Sequence, residues 1–420
     1  MSEIALLLKN SNSKGSMDTF DFVAFESRHK RSICDRYGLT DQEIESIRPC
    51  TPVQCGMLAV FTKTNGDAYY NRTILRSTTP LDLARLRYAW SETMGRHEML
   101  RTGFVSLRDQ AFPFAMITFQ KKFVDLPWIE LETGASESEL NYQCQDLFEN
   151  LHRPAWSLLI RNLEYTTEIE LAIVHAIYDA QSLDFILSDV ARSYQGLELP
   201  PVVPNTDILS HILMHAISPD VDAEKFWTKL APEYQFVKFP NLNPVIVDNP
   251  RLLVTSRISS QSLAVIDGQC QHLGVSLQAV GQAAWAQLLS AYTGESIVSF
   301  GVVLSGRDVS QDAQKAAFPC LVTVPFLSCI QGNNRDFVAT IMNQNAQLVK
   351  RQFTPLSKVQ RWLNRDQALF DTIFVYQKYS SEGKDARFWD VVEEDARIDV
   401  SGTDRIHYSH INGFLVPDID

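Results

Sequence analysis

The stretch "IVHAIYDAQS", residues 173–182, decides how this chain is read. An apolar, strand-like run ends in His175, and Asp179 follows four residues later. Three readings are open at this point: a metal pair, a catalytic base with its supporting carboxylate, or residues that merely fill a core. A zinc site needs a third ligand, and a strand followed by a turn does not put both side chains on one helical face. An imidazole near its neutral pKa can accept a proton from an attacking amine or alcohol, a contribution of ~10²–10⁴ in rate. For that it must sit rigidly at a strand end. The HxxxD spacing alone matches by chance too often to choose between these readings.

The flanking sequence supplies the frame. "WSLLIRNLEYTTEIELAIVHAIYDA" reads as a hairpin, with one strand before Thr166-Thr167 and a second from Glu168 to about Val174. After Ser182 the spacing becomes helical, with Leu183, Ile186, Leu187 and Val190 on one face and Gly196 at the end. Upstream, "LDLARLRYAWSETMGRHEMLRTGF" (81–104) opens with helical periodicity at Leu83, Leu86, Ala89 and Trp90 and runs toward a strand at Arg101–Leu107. Thr40 with Glu43 has the spacing of a helix capping box, and Pro49 and Pro52 are expected to end that helix. "LELPPVVPNTD" (197–207) reads as a stiff linker. Beyond it the alternation repeats: a helix in "SLQAVGQAAWAQLLSAYTG", then strands in "SIVSFGVVLSG", "CLVTVPFLSCI" and "FDTIFVYQ". Helices alternating with strands in both halves predict an α/β protein of two lobes.

Bulk properties agree. The 420 residues suit two domains of roughly 200 residues each. A hydrophobic content of 45% and a charged content of 21% describe globular material. The net charge of -12 argues against nucleic acid or an anionic membrane as a main partner. Seven scattered cysteines without a CxxC pair read as reduced thiols rather than a disulfide or zinc framework. The apolar run Ile4–Leu8 is too short for a signal peptide, and no stretch approaches the ~18 apolar residues of a membrane helix, so a cytoplasmic protein is expected.

With the surroundings included, "HAIYDAQSLDFILSDV" resembles the active-site motif HHxxxDG of nonribosomal peptide synthetase condensation domains, in the fungal form that loses the first His. "RPCTPVQCGML" (48–58) is similar to the fungal opening PCTPxQxGML, and "RHEMLRTGF" (96–104) to RHExLRTxF. "FGVVLSGRDV" (300–309), "FPCLVTVPF" (318–326) and "FDTIFVYQ" (370–377) resemble second-lobe strands. The likeness covers roughly residues 40–399, and siderophore-type synthetases come nearest.

The resemblance implies two lobes like chloramphenicol acetyltransferase, arranged as a V-shaped pseudo-dimer, with a tunnel entered by phosphopantetheine arms of donor and acceptor carrier proteins. An adenylation domain is implied as a further partner. It implies amide or ester formation between a carrier-bound acyl or peptidyl thioester and an acceptor amine or hydroxyl, with no covalently bound cofactor and no metal. His175 matches the catalytic His, and Val174 stands where the first His usually is. Asp179 matches the structural aspartate, which pairs with arginine; Arg101 is the first choice of partner and Arg307 the second. Ser182 is a candidate oxyanion or substrate contact. Ala180 replaces the motif glycine, so a turn that needs positive φ there would displace His175. Two alternatives stay open: a coenzyme A-dependent HxxxD acyltransferase, and a degenerate domain that binds carriers without turnover.

Residues 1–39 are expected to be mostly linker, 40–199 a first lobe, 200–208 the Pro-rich connection, 209–399 a second lobe and 400–420 an atypical tail. That tail lacks strand or helix periodicity, so the second lobe is expected to be cut short at about Val400. The remaining features read as structural. His211 and His215 have metal spacing without a third ligand. Ser276 in "HLGVSLQA" leads into a helix, although the segment faintly resembles a carrier attachment motif. "RHEMLR" reads as a helix end followed by a strand, and Cys50 and Cys55 read as buried thiols. No GxSxG, P-loop or GxGxxG is present.

Overall fold

The computed structural model describes residues 19–131, 146–236, 238–240, 261–365, 368–377 and 388–396, the last five without their side chains. They fall into two compact units. The first holds the described residues of 19–218, 307–320 and 388–396; the second holds those of 219–306 and 321–377.

In the first unit, α1 (Phe22–Tyr37) is capped by Asp21 and closed by Gly38 in the left-handed conformation. Next come β1 (Ile44–Pro49), α2 (Pro52–Lys63), β2 (Tyr70–Ser77) and α3 (Leu83–Arg96). β3 (Thr102–Ser106) and β4 (Phe114–Phe119) join β1 in an antiparallel sheet of order β1-β4-β3. β5 (Trp128–Leu131) precedes the predicted hairpin, which forms as β6 (Trp156–Asn162) and β7 (Thr167–Val174). Then come α4 (Ala180–Gln195) and α5 (Thr206–Ile217). Ile169, Leu171 and Ile173 alternate on one face of β7 and are buried, as are Ile186 and Val190 of α4. The rings of Trp90 and Trp156 lie 5.7 Å apart in this core. Gly103 is required by close approach: a Cβ there would lie 2.3 Å from the His152 carbonyl oxygen.

The second unit contains α6 (Val221–Leu230), α7 (Leu263–Leu273), α8 (Leu277–Thr293), β8 (Ile297–Leu304), β9 (Val322–Cys329), α9 (Asn334–Val349), α10 (Leu356–Trp362) and β10 (Ile373–Val375). Its sheet runs β10-β8-β9, with β8 parallel to β10 and antiparallel to β9. The predicted helix and three strands of this half all form. Ser276 is the N-cap of α8, its hydroxyl accepting from the Ala279 amide.

Four expectations are corrected. Residues 22–37 are helix rather than linker, because Phe25 and Ile33 bury one face of α1 and Phe20 and Phe25 pack on Phe112. Thr40 and Glu43 do not start a helix. Glu43 accepts from the Thr40 amide and hydroxyl and closes a turn, after which Ile44–Pro49 pairs with β4 as a strand that buries Ile44 and Ile47. Pro52 opens α2 at its first turn, where the missing N–H is harmless. The first unit extends past 200–208 to Ser218, because α5 buries Ile208, Leu209, Ile212 and Leu213 and the Ser210 hydroxyl accepts from the Phe20 amide. The 209–399 span is therefore not one lobe. Segment 307–320 returns to the first unit, and β11 (Trp389–Ala396) pairs antiparallel with β2, completing a sheet of order β11-β2-β7-β6-β5. Residues 1–18 of the expected linker and the tail 400–420, on which the expectation of a shortened second lobe rests, lie outside the described residues.

Candidate active site

β7 ends at Val174, and the chain turns at once through a single 3-10 turn, His175–Ile177. The ladder with β2 continues one step into that turn, the His175 amide donating to the Tyr69 carbonyl at 2.8 Å. Tyr69 holds a left-handed backbone, φ 60°, a conformation uncommon for a non-glycine residue. Val174 is fully buried.

His175 is half-buried and stacks on Tyr178, with ring centroids 4.8 Å apart. Its Nδ1 lies 3.1 Å from the Tyr178 carbonyl oxygen. A carbonyl only accepts, so Nδ1 carries the proton and Nε2 keeps its lone pair. Burial pushes the imidazole pKa below its ordinary 6.5, with the Tyr178 carbonyl opposing as a smaller effect. The ring is therefore neutral at pH 7 and presents one basic nitrogen. Tyr178 is held in turn by Asn71, whose Nδ2 donates to the phenolic oxygen at 2.6 Å.

Asp179 is the N-cap of α4. Its Oδ1 accepts from the Ser182 amide at 2.8 Å and from Arg307 Nη2 at 2.7 Å, and its Oδ2 accepts from the Cys320 amide at 2.8 Å. Arg307, buried to 1% exposure, also donates to the carbonyls of Ala313 (2.6 Å), Ala316 (2.9 Å) and Phe318 (3.0 Å). One guanidinium thus folds the 307–320 segment around itself and ties it to the helix that follows His175. Arg101, the first choice of partner, is equally buried but elsewhere: it donates to Glu45 and to the Phe119 carbonyl, and not to Asp179. The charge and burial of both arginines suit an aspartate, and only the fold distinguishes them.

Ser182 is corrected as an oxyanion contact. Its hydroxyl is fully buried, accepting from the Asp179 amide at 2.8 Å and donating to the Asp179 carbonyl at 3.0 Å, so it serves the capping box. Ala180 is the first residue of α4 and is exposed; its backbone is not in the positive-φ region, so the turn makes no demand for glycine there.

Two neighbouring motifs hold this turn. In "RHEMLRTGF", His97 Nε2 lies 2.9 Å and Arg96 Nε 3.3 Å from Asp189 Oδ2 on α4, fastening α3 to that helix. In "RPCTPVQCGML", Gln54 Nε2 donates at 2.9 Å to the carbonyl of Ala176, the middle residue of the 3-10 turn. Gln54, Asn71 and Tyr178 join the turn without being predicted site residues. Gln54 carries a signal in its capping-box spacing from Thr51, and Tyr178 in lying between His175 and Asp179 of the HxxxD motif. Cysteine chemistry is disfavoured nearby: burial pushes the Cys320 thiol up to about 12 and raises that of Cys50 strongly. Among the described residues no group of three His, Cys, Asp or Glu side chains could hold a metal ion, and the rings of His211 and His215 lie 4.5 Å apart on α5.

Comparison with known proteins bears on this geometry. A family model for the condensation domain matches residues 44–409. A nonribosomal peptide synthetase, sidC, of Arthroderma benhamiae is 43% identical over 412 residues, 95% of this chain and 8% of that protein. A hydroxamate-type ferrichrome siderophore peptide synthetase of Schizosaccharomyces pombe is 30% identical over 356 residues, covering 82% of this chain and 7% of the other. The chain thus spans less than a tenth of the length of these relatives. The condensation domain of the monacolin K polyketide synthase superposes with a TM-score of 0.65 at 15% identity, over 84% of this chain and 86% of that one, a likeness of fold. The HxxxD turn and the buried Asp179–Arg307 clamp lie inside the matched span, and the chain belongs to the condensation-domain family.

Proposed function

We propose that the chain joins a carrier-bound acyl or peptidyl thioester to an acceptor amine or hydroxyl, with His175 as the base. The observation that carries this reading is the fixed tautomer: Nδ1–H is engaged by the Tyr178 carbonyl, so the basic Nε2 is the nitrogen left for the nucleophile. The acceptor nitrogen or oxygen attacks the thioester carbonyl carbon as Nε2 takes its proton. The C–S bond then breaks, and the same proton passes to the departing thiolate. The products are an amide or ester and a free phosphopantetheine thiol. Asp179 and Arg307 act by structure, keeping the start of α4 and the turn in register. Donor and acceptor carrier domains and an adenylation domain are the partners this reading requires, and the cytoplasm is its setting. The name of the Schizosaccharomyces pombe relative supports a siderophore pathway.

The test is single turnover on loaded carriers, with the acyl group offered in parallel as free acyl-coenzyme A. Transfer from the carrier alone is expected. His175→Ala should lower product formation at least ~10²-fold while carrier binding persists. Equal turnover by parent and variant would remove His175 from the mechanism, and transfer from free acyl-coenzyme A would make the chain a coenzyme A-dependent acyltransferase.

A further inference from the structure

Gln54 occupies the third helical position of α2 and closes a capping box with Thr51. Its Oε1 accepts from the Thr51 amide at 2.9 Å, and its own amide donates to Thr51 Oγ1 at 3.2 Å. A capping box asks no more than this, and glutamate meets the requirement as well as glutamine does. The other end of the carboxamide does something the box does not need. Nε2 reaches across 122 positions of sequence to the Ala176 carbonyl at 2.9 Å and lies 3.6 Å from Met116 Sδ. The amide orientation is set from both sides, because the Thr51 N–H needs an oxygen and the Ala176 carbonyl needs an N–H. Gln54 is 2% exposed and Ala176 fully buried, so no water substitutes for either partner.

The position of that carbonyl gives the contact its consequence. Ala176 lies between His175 and the residue whose carbonyl engages His175 Nδ1. The turn is held at its entry by the Tyr69 carbonyl on the His175 amide, and at its exit by the Tyr178 amide on the His175 carbonyl at 3.4 Å, a long bond. Between these points, the Gln54 carboxamide grips the backbone at the Ala176 carbonyl. A peptide plane free to rotate at Ala176–Ile177 would swing the Tyr178 carbonyl and release Nδ1. We propose that Gln54 is a positioning residue for His175: through the Ala176 carbonyl it keeps the Tyr178 carbonyl on Nδ1 and so holds the basic nitrogen at Nε2. This rests on the role given to His175 above, and the test reads the imidazole directly, so that the two ideas can fail separately.

Gln54→Glu keeps an oxygen for the Thr51 amide and removes the donor to Ala176. Thr51→Ala does the converse, deleting the cap hydroxyl and leaving the Gln54 donor. The full 420-residue chain is labelled with ¹⁵N-histidine, and the His175 signals are identified by their loss in His175→Ala. The parent should show His175 as a single Nδ1–H tautomer. In Gln54→Glu those two nitrogen signals should move toward each other as the tautomers mix, with turnover on loaded carriers down roughly 10- to 100-fold at unchanged KM. Thr51→Ala should melt lower with the His175 signals unmoved. Gln54→Met, neutral and of similar volume, should reproduce the tautomer change if the buried glutamate unfolds the chain. A pure Nδ1–H tautomer in both Gln54 variants, with melting lowered as in Thr51→Ala, would show that Gln54 is only a helix cap. If the parent turns over no carrier-bound substrate, the function proposed above fails, and the spectra still decide the role of Gln54.

Discussion

Two arginines of the first unit are buried to the same degree and do different work. Arg307 donates from Nη1 and Nη2 to three carbonyls of its own loop and to the Asp179 carboxylate, which lies on another element. Arg101 engages Glu45, itself one-third exposed, and one carbonyl at the end of β4, and its Nε has no partner among the described residues. The first is a clamp that joins distant chain segments where the HxxxD turn begins its helix. The second pins a strand end beside solvent. Burial alone does not mark a site arginine; the number and origin of its acceptors do.

Breaking the Arg307 clamp should have the larger effect. Arg307→Met leaves Asp179 charged and buried and strips the bonds that shape 307–320, so a loss of about 3–5 kcal/mol is expected in denaturant melts, with turnover abolished. Asp179→Asn alone should lower melting and activity together. The double variant sharpens the comparison: with both charges gone, the two losses should fall short of additivity by about 0.5–3 kcal/mol. Additive losses would mean that the pair is not coupled. Arg101→Met should cost about 1–2 kcal/mol and leave turnover essentially unchanged, because only the Phe119 carbonyl loses a buried partner while Glu45 can reach water. A collapse of activity there would erase the distinction between the two sites.

The smallest effect concerns pH. His175 titrates below 6.5 in the folded chain, so the acid limb of the rate profile should lie below that value. The native state binds fewer protons at this site than the unfolded one. The associated stability is therefore fully present above pH 6.5 and lost as pH falls through the folded value. Melting curves of the parent and His175→Ala should converge on acidification. An acid limb above 6.5 would contradict the burial of the ring.

The sequence carries most of the architecture because alternation and helical spacing report burial directly. β6, β7, α4 and α8 lie close to where their patterns predict, and His175, Asp179 and Arg307 are all readable from motifs. What the sequence hides is contact between distant segments. Nothing local says that Arg307 rather than Arg101 meets Asp179, or that Gln54 reaches Ala176. Thr40–Glu43 shows the opposite failure, a true local bond pattern that closes a turn before a strand. There the β-branched Ile44 and Ile47, both buried in β1, outweigh the cap.

The pairing of β11 with β2 has a consequence for synthesis. Ser77 waits for Trp389, some three hundred positions later in the chain. At about 5–20 residues per second on the ribosome, β2 presents an open hydrogen-bonding edge for about 15–60 s before its neighbour emerges. Loop closure over that distance is slow, and an unpaired edge can template pairing with another nascent chain. The first unit is thus begun early and finished late, and the interval exposes it to chaperones and to misassembly with its own copies.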